Sequence, residues 1–74
     1  MHPNPFWHLG VDKVKALIDD TIFAKDIDRE IAINVFVNSM AIEKCAEKID
    51  YNSKSVRLRL PDIERRLENS LKRP

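Results

Sequence analysis

Apolar residues recur at three- and four-residue steps along almost the whole chain, the spacing of helices with one buried face. Val11, Val14, Leu17, Ile18 and Ile22 predict a first helix over 11–23. Ile31, Val35 and Phe36 mark the inner face of a second over 28–38, with Asp26 or Asp28 as its cap and Ile27 as an apolar staple ahead of it. Ile42, Cys45, Ala46 and Ile49 line a third over 42–48. Asp50-Tyr51-Asn52 then breaks the rhythm; Asp and Asn tolerate left-handed backbone angles, so a tight turn is expected. Asn52 is placed to cap a fourth helix over 53–72, in which Val56, Leu60, Ile63, Leu67 and Leu71 continue the seam and Pro61 is expected to bend the axis. The expected fold is all-α: a small bundle of about four helices containing a helix-turn-helix. Its core is Ile31, Val35, Ile42, Cys45, Ala46, Ile49, Val56 and Leu60.

The polar residues between these apolar positions carry the candidate chemistry. Ser53, Lys54, Arg57 and Arg59 lie early in the fourth helix, and short polar and cationic side chains suit phosphates and base edges. Asp28-Arg29-Glu30-Ile31, Phe36-Val37, Ala46-Glu47, Val56 and Arg59-Leu60 fall at the spacing of a known pattern without a gap. Over 28–60 the chain resembles the carboxy-terminal promoter-binding region of bacterial sigma factors. More loosely, it resembles LuxR-type and small phage-encoded helix-turn-helix regulators. The resemblance implies a DNA-reading second helix. There are departures: Asp50 stands at the usual turn glycine, and Ser39 and Ala41 replace the glycine and hydroxyl residue that separate and cap the preceding helices. Cys45 replaces a branched aliphatic, Leu58 a polar reading residue, and Pro61 interrupts a usually continuous helix.

Composition narrows the picture. The 74 residues are 43% hydrophobic and 34% charged with one glycine, which fits one helical domain: an irregular arm over 1–10, the helix-turn-helix core over 28–60 and a closing helix over 61–74. A domain this small buries a limited core, so pairing is a reasonable expectation. The dimer face expected is Ile63, Leu67 and Leu71, with Leu17 and Ile18 competing to cover it within the monomer. The single cysteine forms no internal disulfide, which fits a reducing cytoplasmic setting. No apolar run reaches membrane-spanning length, and no secretory leader pattern opens the chain. Net charge is only +1, but it is unevenly spread. Residues 1–50 carry six Lys and Arg against nine Asp and Glu, and residues 51–74 carry seven against three, so cations gather in and after the proposed reading helix. A solvated charged face is the plainer reading of the same distribution.

No residues fall at the spacing of an acid–base pair, an activated nucleophile, a phosphate-cradling glycine loop or a cofactor motif, so neither an enzyme nor a cofactor is expected. His2 and His8 lack further metal ligands, and Cys45 reads as a small core residue. Phe6 and Trp7 are expected to fold back over the core, with a partner anchor as the alternative. The expected partner is double-stranded DNA. Ser53, Lys54 and Arg57 would face the major groove, Arg59, Arg65 and Arg66 would meet phosphates, and Asn52 would cap the helix start. Leu58 projects from the same surface, and supports the alternative of a phage-type interaction module or inhibitor that binds a host polymerase or nuclease complex. A complete sigma factor is not expected, because it also needs a separate domain for the upstream promoter element and the polymerase core.

Overall fold

Four α-helices enclose one apolar core in the computed structural model, which describes residues 6–72 apart from the Trp7 side chain. They are α1 (Val11–Asp20), α2 (Asp26–Ala32), α3 (Ile42–Lys48) and α4 (Ser53–Leu71), and the described residues contain no strand. A 3₁₀ turn, Trp7–Leu9, precedes α1, and α2 runs directly into a wider π-turn, Ile33–Val37. The chain's one glycine, Gly10, sits at φ 82° immediately before α1, a backbone angle that a side chain would oppose.

The core joins all four helices. Val14, Leu17 and Ile18 of α1, Ile31 and Ala32 of α2, Cys45 and Ala46 of α3, and Val56, Leu60, Ile63 and Leu67 of α4 form one buried cluster with Phe6, Val35 and Phe36. Phe6 returns over the core as expected and meets the Phe36 ring edge-on, with centroids 5.4 Å apart. The expected irregular arm over 1–10 lies outside the described residues up to position 5, as does the expected packing of the Trp7 side chain.

Several expectations need correction. Ile63 and Leu67 are 0% exposed within the single chain, beside Leu17 and Ile18, so neither is available as a dimer face; only Leu71 of that trio is exposed. Ile42 and Ile49 are half-buried at the edge of the core instead of inside it. The first helix stops at Asp20, leaving Ile22 exposed, because the Thr21 hydroxyl hydrogen-bonds the Leu17 carbonyl at 2.7 Å and its amide turns back to the Ile18 carbonyl. Neither Asp26 nor Asp28 caps α2: Lys25 holds the cap position without a side-chain bond, and Asp28 turns inward. The fourth helix, by contrast, is the single element expected: α4 runs from Ser53 to Leu71 with Pro61 inside it and exposed to solvent.

Two turns set the course of the second half. The π-turn closes with the Met40 amide on the Asn34 carbonyl at 2.9 Å, and Ser39 takes φ 55° to make that exit. At the end of α3, Asp50 takes φ 62°. There the Tyr51 amide reaches the Ala46 carbonyl at 2.8 Å and the Asp50 amide reaches Glu47 at 3.3 Å, the paired bonds of a Schellman closure. Ser39 and Asp50 thus both hold a left-handed backbone angle that L residues resist, and the hydrogen bonds of the two turns keep them there.

Candidate nucleic-acid interface

α3, its turn and the start of α4 form the helix-turn-helix read from the sequence. The Schellman closure fixes the exit from α3, and the Asn52 side-chain oxygen then accepts the Ser55 amide at 2.8 Å, fixing the entry into α4. Ala46 is buried where the two helices meet, and its small side chain permits a close approach. Val56 and Leu60 face the core, which turns Lys54, Arg57 and Leu58 to solvent. Along the outer stripe of α4 the sequence runs Lys54, Leu58, Pro61, Arg65 at helical steps, all exposed.

The eight expected contact residues do not behave as one group. Asn52, Lys54, Arg57 and Leu58 are exposed around the start of α4, with Ser53 half-buried beside them. Arg57 reaches across to α3 and donates to the Glu43 carboxylate at 2.8 Å, which leaves its other N–H groups available. Leu58 is 72% exposed.

Arg59 belongs elsewhere. It donates from Nε to the Asp28 carboxylate at 2.5 Å, joining α4 to the first turn of α2. Asp28 is 2% exposed and the Arg59 side chain 26%, so the pair is built into the structure instead of offered to phosphates. The hydrogen bond to Asp28 raises the Arg59 pKa above its ordinary value, opposed by partial burial. The Asp28 carboxylate also lies where the α2 dipole favours negative charge.

Arg65 and Arg66 both bind Asp62, one helical turn before them. Their hydrogen bonds, that from Arg65 first and that from Arg66 second, hold the Asp62 carboxyl below its ordinary range. Arg66 also donates to the Ile22 carbonyl at 3.0 Å, tying the end of α1 to α4, where the Thr21 and Ser70 hydroxyls share a 2.8 Å hydrogen bond. Arg66 is thus a cross-brace, while Arg65 stays on the outer stripe.

The Arg57–Glu43 and Arg59–Asp28 pairs escaped the sequence reading because each joins residues only across the fold, 14 and 31 positions apart. Cys45 is buried as expected, and burial pushes its thiol pKa up, which disfavours the reactive thiolate. The Asn34 amide lies 3.9 Å from its sulfur. Among the described residues no three His, Cys, Asp or Glu side chains converge as a metal site, and no helix is long and apolar enough to cross a membrane. Comparison with protein-family models, with curated proteins and with solved structures finds no match to this chain.

Proposed function

We propose that the chain is a small helix-turn-helix DNA-binding transcriptional regulator that lays the first half of α4 in the major groove. One observation carries the reading: Lys54, Arg57 and Leu58 stand exposed together on a helix start capped by Asn52 and backed by the buried Val56 and Leu60. A reader needs just this combination of a rigid base and free polar tips. The cationic balance of residues 51–74 against the acidic balance of 1–50 orients the same face toward a polyanion. The contact set is Asn52, Ser53, Lys54, Arg57 and Leu58, with Arg65 supplying charge further along α4. Arg59 and Arg66 serve the fold. No catalytic role is assigned.

The test is binding to randomised and genomic duplex fragments across a salt series. Two cations placed for phosphates, Lys54 and Arg65, give log affinity falling against log salt with a slope of about −2. A preference among duplex sequences survives at higher salt. Absence of duplex binding at low salt overturns the proposal. A second reading rests on Leu58, whose exposure is high for an apolar residue. A protein partner such as a polymerase or nuclease subunit would bury it, and its truncation would then release that partner.

A further inference from the structure

Leu58 is the residue on the α4 face that neither charge neutralisation nor capping explains. It is 72% exposed, yet its companions are cations: Lys54 one turn earlier on the same stripe and Arg57 immediately before it. Four positions lie three or four residues away along α4: Lys54, Ser55, Pro61 and Asp62. Only Pro61 among them is apolar, so along α4 Leu58 heads no apolar stripe of the kind that forms the dry centre of a protein interface. It is a single apolar tip on the start of α4, with Lys54 one turn before it, Arg57 beside it and, one turn after it, an Asp62 already paired with Arg65 and Arg66. The B-DNA major groove has the complementary form: phosphate walls enclosing base edges, among which thymine alone presents a methyl group.

We propose that Leu58 reads a thymine by packing on its C5-methyl, beside a base edge taken by Arg57; this rests on the DNA-binding reading above. Glu43 supports the arrangement. It holds one amino group of the Arg57 guanidinium at 2.8 Å from α3, so the arginine is restrained from the side before it meets DNA. Lys54 neutralises phosphate on the strand flanking the methyl. Leu58 thereby gains in the groove the burial that it lacks in water.

The experiment begins with duplexes selected from a randomised pool by the wild-type chain. Each thymine is then replaced singly by deoxyuridine, which deletes the methyl and preserves every hydrogen-bonding group. Fluorescence anisotropy should show that wild type loses about fourfold in affinity at one thymine position, the worth of one buried methyl group. Leu58→Ala should lose a similar factor on the thymine duplex and become indifferent to the uracil replacement. Arg57→Ala should bind more weakly but keep the thymine preference. Leu58 touches solvent, so its alanine variant retains the fold, checked by an unchanged circular-dichroism melt. The inference fails if no thymine position is sensitive, or if Leu58→Ala retains the preference. Either result leaves DNA binding itself standing. It also fails if Leu58→Ala binds both duplexes like wild type while releasing a co-purifying protein. Failure to select any duplex overturns this inference and the DNA-binding reading together.

Discussion

Replacing Arg59 with methionine keeps the aliphatic stem and removes the charge that answers Asp28. The carboxylate left behind is 2% exposed and loses the partner that reaches it from 31 residues away. Breaking a buried pair from one side costs about 3–5 kcal/mol. Arg59 is itself 26% exposed, so water entering along its path reduces the cost to about 2–3 kcal/mol. A chain of this length has a total stability of about 4–11 kcal/mol, so the loss is a large share. With a urea slope near 1 kcal/mol per molar for so small a domain, the midpoint should fall by about 2 M. Asp28→Asn should do similar damage, and the double variant should be less destabilised than the two singles together, with a coupling of about 1–3 kcal/mol. Urea unfolding followed by circular dichroism supplies all four stabilities. An Arg59→Met chain within about 0.5 kcal/mol of wild type, with additive singles, refutes the structural role and makes Arg59 a candidate phosphate contact again.

Leu67→Ala, at a 0% exposed position, should lose about 2–4 kcal/mol through a cavity; a melt like that of wild type means that the α4 seam is not buried in the monomer. Asp50→Gly relieves a left-handed φ of 62° and should gain up to about 1 kcal/mol in urea unfolding, whereas a loss of that size would show that the Asp50 side chain stabilises the turn. Asp62 has a depressed folded pKa, so its stabilising contribution is present above the unfolded carboxylate value of about 4 and is lost as pH falls through the lower folded value. The gap in Tm between wild type and Asp62→Asn should hold steady above about pH 5 and close at more acidic pH, and a gap independent of pH removes the Arg65–Asp62–Arg66 cluster from the account.

Local chemistry was legible at the turn between α3 and α4 but not at the cap of α2 or the end of α1, and long-range pairing was not legible at all. Asp50 and Asn52 act on their own neighbourhood, one by tolerating a positive φ and the other by capping its own helix, so residue type was enough. The buried faces of α3 and α4 followed from spacing, and Cys45, Ala46, Val56 and Leu60 lie where it put them. Spacing does not say what covers an apolar seam. Ile63 and Leu67 pack in the cluster that includes Leu17 and Ile18 of α1, so a stripe that looked available to a second copy is used inside the chain. Charge is the hardest to read. Arg57, Arg59, Arg65 and Arg66 are equivalent cations in one dimension; in three, one leans on Glu43, one closes a buried pair with Asp28, and two share Asp62. The π-turn at Ile33–Val37 had no foreseeable mark, since Ile33, Asn34 and Val35 continue the helical composition and the widening shows only in its hydrogen bonds.

The central claim is that the exposed first half of α4 meets duplex DNA. It is tested most directly by backbone-amide NMR of the labelled chain titrated with a selected duplex, where each residue other than proline reports for itself. The account predicts saturable shifts concentrated over residues 52–58 and continuing to Arg65, with the amides of α1 and the first turn of α2 unmoved. Shifts centred on α1 or α2, or a spectrum unchanged at excess duplex in low salt, would contradict it.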